Sequence, residues 1–349
     1  MGKLTSFRDD AYPQTLSADS LAADPLAAAD FSLDTARFMA WSAQLAYEVA
    51  VPEILHGLTE RWGWRNVQPI RSRLGIGAAT RDAYGYVAEI GAACVVAFTG
   101  TEPDQVSDWR IDFDFLRQGN YASPGVAKAL DIVWDGLAKH IAVTTGPVFI
   151  AGHSLGGAFA VVAAIRLAST QGFDMQRLAG VYTFGMPRIG NTAFATGYNA
   201  MLGGKLGDRT YRLVYGDDLV ARVPPAGTGE LEFRHVGRKL SCDHAASFAG
   251  IPAPPEVEGT DGNLAATLGM LKDVSANWDR IGGQIASSLA PLLPEFLRDL
   301  LPGGQHAPPP PFPARDDAAA RGAALLPPSL RDHLLDRYLR ALGVRFPGD

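Results

Sequence analysis

Apolar residues recur at different spacings along the first half of the chain, and each spacing predicts one kind of element. From residue 31 to residue 56 they fall at helical spacing, which places the start of the fold near Asp30. Two short apolar runs at 84–90 and 94–98, joined by residues 91–93, are typical of a β-hairpin. A further helix is predicted where apolar residues recur every three or four positions along one face. Those residues are Val126, Leu130, Val133, Leu137 and Ile141.

The pattern then alternates between strands and helices. Buried strands are predicted at 147–151, 180–184 and 211–215, and a helix of small residues follows the first of them at 158–165. Strands that alternate with helices are typical of a mostly parallel sheet covered by helices on both faces. The pattern therefore predicts an α/β fold, preceded at residues 1–30 by an N-terminal tail that has no periodicity to order it.

Composition adds little to this picture. A chain of 349 residues with 47% hydrophobic residues fits one domain with one large core. A net charge of −6 with 19% charged residues gives no basic footprint for nucleic acid. The start carries no apolar secretory signal and no run is long enough to span a bilayer, so we expect a cytoplasmic protein or leaderless export. Cys94 and Cys242 are interpreted as reduced thiols, although their pairing stays open.

The strongest chemical signal is the sequence GHSLG at 152–156, which lies between a predicted strand and a predicted helix. A Gly-x-Ser-x-Gly in that context predicts a nucleophile elbow, a sharp turn that exposes the serine hydroxyl above the sheet. The helix N-terminus that follows favours a developing negative charge. Ser154 is therefore the candidate nucleophile.

A serine nucleophile needs a histidine to take its proton and a carboxylate to orient that histidine. Asp217 and Asp218 follow the predicted strand at 211–215, at the carboxyl end of the sheet where ligands bind in open α/β folds. The spacing alone does not choose between them. No metal site is predicted, because the cluster CDH at 242–244 lacks a second group of ligands.

Four segments, in order, resemble the successive motifs of class 3 lipases, a family that includes the filamentous-fungal triacylglycerol lipases and many bacterial relatives. They are GHSLGGA at 152–158, YTFGMPRIGN at 182–191, DDLVARVPP at 217–225 and FRHVG at 233–237. The likeness runs from about residue 31 to residue 236 and resumes near residue 330. It implies the α/β-hydrolase fold, formed by a single domain at 31–349, and a triad of Ser, Asp and His.

The resemblance also implies roles for individual residues. The family's catalytic aspartate comes six residues before the first proline of a Pro-Pro pair, which selects Asp218. The family's oxyanion turn matches FTGT at 98–101, so Thr101 inherits the oxyanion role together with the backbone N–H of Leu155. Thr99 stands where the family usually has arginine.

Two histidines fit the role of the base. His333 begins a terminal segment with Tyr and Leu at helical spacing, as in bacterial family members, and is preferred to His244, the alternative base. With His333 as base, a helical and Pro-rich insertion occupies about 245–320. The sequence leaves open whether 102–115, which resembles the family's lid, or the apolar helical stretch at 263–301 is a mobile lid or an immobile helix.

The resemblance implies a serine carboxylic-ester hydrolase, a lipase or esterase that cleaves acylglycerols through an acyl-enzyme on Ser154 without a cofactor or metal. The implied partner is a lipid or other acyl-ester substrate and not nucleic acid, while transient contact with a lipid interface and the oligomeric state stay open. A phospholipase A1, a diacylglycerol lipase and a feruloyl esterase are alternatives with the same triad. A non-catalytic binding protein on a hydrolase fold is the alternative from another functional class.

Overall fold

The computed structural model describes residues 7, 10–21, 30–76, 79–100, 124–201, 203, 205–224, 226, 233–244, 246–255 and 328–346. Thr101, both candidate lids and most of the predicted insertion lie outside them. Strands β1 to β7 are Arg65–Ile76, Ala79–Ile90, Ala93–Phe98, Val148–His153, Leu178–Phe184, Thr210–Tyr215 and Arg238–Cys242. Helices α1 to α8 are Leu33–Ala46, Pro52–Arg61, Pro124–Val143, Leu155–Ala168, Thr192–Ala200, Lys205–Asp208, Pro328–Arg331 and Leu335–Ala341. Within these ranges no helix is both long and apolar enough to cross a membrane.

The seven strands form one sheet in which neighbours follow one another in chain order. Strands β1, β2 and β3 pair antiparallel, whereas β3 to β7 pair parallel. Strands β3, β4 and β5 are buried along their whole length, because helices cover both faces of a parallel sheet and leave no polar side. The mostly parallel sheet and the β2–β3 hairpin confirm the predicted α/β fold.

Two apolar clusters lie on the two faces of the sheet. Alternate residues of β3 belong to different clusters, since successive side chains of a strand point to opposite faces. The first cluster includes residues of α1 and α8, and the second includes residues of α3 and α4. Four of the five residues that predicted α3 are buried and Val133 is partly buried, which confirms this amphipathic helix.

The helical pattern at 31–56 is interrupted by a break that the spacing did not predict. Helix α1 ends at Ala46, a 3-10 turn covers Tyr47–Ala50, and α2 begins with Pro52. A proline disfavours the helical conformation in the residue before it, and Val51 has φ −123°. The break leaves the buried side chain of Tyr47 at the end of α1, close to the end of β4.

Part of the segment assigned to an N-terminal tail packs on the core. Within residues 10–21, Tyr12 is buried, and its hydroxyl donates to Glu48 Oε1 over 2.9 Å. Its ring lies against Trp41 and Trp62. Burial of a large apolar side chain contributes about 1.5–3 kcal/mol, which favours an ordered segment here without any helical or strand periodicity.

Candidate active site

Ser154 lies in a sharp turn between β4 and α4. Its backbone has φ 57° and ψ −131°, a conformation that is unfavourable for a residue with a side chain. The turn is held by two backbone hydrogen bonds: the Ser154 N–H donates to Phe184 O over 2.9 Å, and the Gly157 N–H donates to Ser154 O over 2.9 Å. This strand, turn and helix are the geometry of the predicted elbow in an α/β-hydrolase fold.

Two glycines allow the segment after β3 to pass against the elbow. A Cβ atom on Gly156 would overlap the backbone oxygens of Phe98 and Thr99. A Cβ atom on Gly100 would overlap the Cβ atom of Ser154. The end of β3 therefore lies directly beside Ser154, and any larger residue at either glycine would push the two segments apart.

His333 and Asp218 form a buried pair near the elbow. Their side chains are 1% and 0% exposed, and His333 Nδ1 lies 2.9 Å from Asp218 Oδ2 and 3.0 Å from Oδ1. Asp218 Oδ1 also accepts the backbone N–H groups of Val220 at 2.8 Å and Ala221 at 3.3 Å. These donors compensate the cost of burying the carboxylate. Because a carboxylate accepts, His333 donates from Nδ1, and in the neutral ring Nε2 carries the lone pair.

The serine and the pair come together at the carboxyl edge of the sheet. Ser154 follows β4, Gly185 follows β5 and Asp218 follows β6. A Cβ atom on Gly185 would lie 2.7 Å from His333 Nδ1, so the loop after β5 passes against the pair. The ring of His153, which precedes Ser154, stacks on the ring of His333 with 4.6 Å between centroids. Ligands bind at this edge in open α/β sheets.

Tyr338 is a part of this site that sequence reasoning missed. Its hydroxyl donates to Asp218 Oδ2 over 2.5 Å, and the side chain is fully buried on α8. Burial, followed by the negative charge of Asp218, raises the pKa of Tyr338 well above its usual value, which keeps the hydroxyl protonated as a donor. The only feature of the sequence that links Tyr338 to the site is its position five residues after His333. It was overlooked because a tyrosine in a helical pattern is usually a core residue.

Replacing Tyr338 by phenylalanine is expected to lower the free energy of unfolding by about 1.5–3 kcal/mol, because a hydrogen bond to a buried charge is lost. Urea denaturation measures this loss. Tyr198→Phe is the matched control, since it removes a buried hydroxyl 2.7 Å from the uncharged Thr210 Oγ1 and should cost about 0.5–1.5 kcal/mol. Equal losses in the two variants would contradict a special role for the bond to Asp218.

His244, the alternative base, belongs to a second pair. Its Nε2 lies 2.5 Å from Asp332 Oδ2, and the two side chains are 52% and 9% exposed. Asp332 Oδ2 also accepts the backbone N–H of Asp217 over 2.9 Å. The carboxylate of Asp217 itself pairs with Arg222. The structure therefore brings His333 to Asp218 and places both His244 and Asp217 in other contacts.

The remaining predicted site residues have different positions. Leu155 is the first residue of α4, where backbone N–H groups have no acceptor within the helix, whereas Thr101 lies outside the described residues. In the part of the chain that the structure describes, no three His, Cys, Asp or Glu side chains are grouped as metal ligands. Cys94 and Cys242 are both free thiols, and burial raises their pKa values to about 12 and about 11.

Comparison with known proteins gives partial matches to lipases. The chain is 33% identical over 185 residues to "Secreted mono- and diacylglycerol lipase 1" of Fusarium solani, which covers 50% of each protein. It is 30% identical over 175 residues to "Triacylglycerol lipase OBL1" of Arabidopsis thaliana, covering 37% of this chain and 34% of that protein. The crystal structure of a lipase from Rhizopus microsporus var. chinensis superposes with a TM-score of 0.49 at 18% identity, over 72% of this chain and 92% of that one. The chain thus spans half or less of the two curated relatives.

The expectation of a cytoplasmic protein or leaderless export is wrong. The Fusarium solani relative is named as a secreted lipase, and so is a Malassezia restricta relative that is 43% identical over 84 residues. The expectation rested on the lack of an apolar run at the start of the printed sequence. Such a lack does not decide the compartment.

The family match itself covers the central part of the molecule. The sequence profile of the family "Lipase (class 3)" matches residues 95–228. This range contains the end of the β2–β3 hairpin, the elbow with Ser154, and Asp218 in the loop after β6. The resemblance inferred from the sequence motifs is thereby confirmed over residues 95–228, the part of the chain that is similar to the class 3 lipases.

Proposed function

We propose that this chain is a serine carboxylic-ester hydrolase that cleaves acylglycerols, with Ser154 as the nucleophile, His333 as the base and Asp218 as the residue that orients the base. The observation that carries the proposal is the buried His333–Asp218 pair, with 2.9 Å between Nδ1 and Oδ2. Because Nδ1 donates to the carboxylate, Nε2 is the nitrogen that can take the serine proton. The elbow conformation of Ser154 supports its role as the nucleophile.

The proposed reaction begins with acyl transfer to the serine. His333 Nε2 takes the hydroxyl proton while Ser154 Oγ bonds to the ester carbonyl carbon, and the carbonyl electron pair moves to oxygen. The backbone N–H groups of Leu155 and Thr101 stabilise this oxyanion. When the tetrahedral intermediate collapses, the bond to the alcohol breaks, and the leaving oxygen takes the proton from His333. The acyl group is then an ester on Ser154.

Water completes the cycle by the same steps. His333 takes a proton from water, the resulting oxygen nucleophile bonds to the acyl carbon, and collapse returns the proton to Ser154 Oγ as the carboxylic acid leaves. Asp218 stays ionised throughout and stabilises the imidazolium that forms twice in each cycle. Every proton that His333 accepts is donated within the same half-reaction, so no cofactor is required.

The substrate class is proposed from the names of the relatives. The Fusarium and two Malassezia relatives are named as mono- and diacylglycerol lipases, and the Arabidopsis relative is named as a triacylglycerol lipase. We therefore propose partial acylglycerols as the preferred substrates and triacylglycerols as slower ones. Since several of these relatives are secreted, we also propose that the chain acts outside the cell, with its lipid substrate at an oil–water interface.

Titration of released acid from emulsified substrates tests the substrate class. With the full chain, we expect the highest rates on mono- and diacylglycerols and lower rates on triacylglycerols. Phosphatidylcholine vesicles and methyl ferulate test the alternative phospholipase A1 and feruloyl esterase activities. If the chain hydrolysed phosphatidylcholine or methyl ferulate but not acylglycerols, the proposed substrate class would be wrong, whereas the proposed triad would stay in place.

Labelling with a fluorophosphonate tests the hydrolase assignment itself. The reagent phosphonylates an activated serine, so we expect one adduct per chain, found by mass spectrometry on the peptide that contains Ser154. A folded chain in which Ser154 stays unlabelled would overturn the hydrolase proposal and favour a non-catalytic binding protein.

A further inference from the structure

A chain of hydrogen bonds links three segments around Ser154 through the buried side chain of His153. Its Nε2 lies 2.7 Å from the backbone oxygen of His333, and its Nδ1 lies 2.6 Å from the hydroxyl oxygen of Tyr47. The same hydroxyl oxygen accepts the backbone N–H of Gly100 over 3.1 Å. Residues far apart in sequence, on either side of the elbow, are thus connected through two side chains.

The direction of each hydrogen bond follows from the groups involved. A backbone carbonyl only accepts, so His153 Nε2 must carry a hydrogen and donate it to His333 O. Burial, followed by the charge of His333, lowers the pKa of His153 well below 6.5, so the ring is neutral and carries a single ring proton. Nδ1 is then the acceptor, and the Tyr47 hydroxyl donates to it. The structure therefore fixes one tautomer of His153.

We propose that Tyr47 and His153 are positioning residues, which hold the oxyanion segment after β3 and the His333 segment at fixed positions on either side of Ser154. The proposal rests on the proposed function, since it concerns the base and the oxyanion donors of that reaction. Gly100, which Tyr47 holds, directly precedes Thr101. His333, whose backbone oxygen His153 holds, is the proposed base.

Burial makes this hydrogen-bond chain difficult to replace. Tyr47 and His153 are both buried, so water cannot take over a lost hydrogen bond without opening the core. The neutral state of His153 also matters for the reaction, because its ring stacks on that of His333 at 4.6 Å. A protonated His153 would repel the imidazolium that forms on His333 during each acyl transfer.

The variant Tyr47→Phe removes the hydroxyl and keeps the ring. We expect kcat to fall about 10- to 100-fold, because small misplacements of catalytic groups have effects of this size. KM should stay within about twofold, since no substrate contact is removed. Tyr86→Phe is the matched control: it removes a buried hydroxyl that donates to Ser42 O over 3.1 Å, on the same side of the sheet. Its kcat should equal that of the unmodified chain.

Nitrogen NMR of histidine-labelled protein gives a test that does not depend on measuring activity. The chain has 7 histidines, and loss of one signal set in His153→Gln assigns His153. We expect a protonated Nε2 and an unprotonated Nδ1 in the unmodified chain, and a shifted Nδ1 signal in Tyr47→Phe. A protonated Nδ1 in the unmodified chain would overturn the proposal, whatever the kinetics.

The kinetic outcomes separate this proposal from the proposed function. Full kcat in Tyr47→Phe would overturn the positioning role, as would an equal fall in Tyr86→Phe or a fall in kcat/KM caused by KM alone. Failure of the proposed function would appear instead as an unlabelled Ser154 in the unmodified chain after fluorophosphonate treatment. The labelling result and the His153 spectrum are measured independently, so each proposal has its own point of failure.

Discussion

Replacing Ser154 by alanine is expected to lower kcat by about five to six orders of magnitude, because the chain loses the oxygen that forms the acyl-enzyme in the proposed mechanism. The remaining rate would come from substrate binding and the oxyanion donors alone. Alanine keeps the Cβ atom, so the turn with φ 57° stays as it is and the fold should be preserved. Initial rates on p-nitrophenyl butyrate, with thermal denaturation beside them, measure the effect.

Ser169→Ala provides the control for this experiment. Ser169 is the exposed C-cap residue of the same helix, α4, so its replacement changes a serine close in sequence without touching the elbow. Its kcat should be unchanged. If Ser154→Ala instead kept more than about 1% of kcat, the loss would be far smaller than removal of a serine nucleophile causes, and the acyl-enzyme mechanism would be wrong.

The elements that could be predicted are those with a local signal in the sequence. The amphipathic face of α3 and the hairpin of β2 and β3 follow from residue spacing alone, because helix and strand periods differ. The elbow was also predictable, since the close approach of Gly156 to the end of β3 requires a residue without Cβ. Each of these signals lies within about twenty residues of chain.

The contacts that could not be predicted join residues far apart. Asp217 and Asp218 are neighbours, and so are Asp332 and His333; two histidine–aspartate pairs therefore form side by side. Residue spacing does not determine which aspartate pairs with which histidine. Family resemblance selected Asp218 and His333, whereas local chemistry left Asp217 and His244 equally open.

The polar contacts of the buried tyrosines were hidden for a related reason. Tyr47 and Tyr338 fit the apolar pattern of their helical segments, so the sequence indicates only that they are buried. The Tyr47 hydroxyl contacts His153 and the Tyr338 hydroxyl contacts Asp218, and each partner is more than 100 residues away in the chain. A buried hydroxyl must find a partner, but periodicity does not identify that partner. Tertiary structure was needed to add these residues to the site.

His333→Ala is expected to lower kcat by about five to six orders of magnitude, nearly as much as Ser154→Ala, because in the proposed mechanism the base and the serine act as one unit. His244→Ala is expected to lower kcat less than about fivefold, since a half-exposed polar contact of this kind contributes about 0.2–1 kcal/mol. Both variants are compared on the same soluble ester, with urea denaturation to confirm the fold. The double variant that combines His333→Ala with Ser154→Ala should be no slower than Ser154→Ala alone.

Comparing His333→Ala with His244→Ala is a stringent test of which histidine is the base, because each histidine has a carboxylate partner. The partner of His333 is a buried aspartate that two backbone N–H groups and the Tyr338 hydroxyl also hold, so the ring orientation is fixed. The partner of His244 also accepts a backbone N–H, but the imidazole itself is 52% exposed, and water competes for its hydrogen bond to Asp332. A large loss in His244→Ala with a small loss in His333→Ala would therefore reverse the assignment of the base. Large losses in both would mean that the His244–Asp332 pair is required to hold the segment that carries His333.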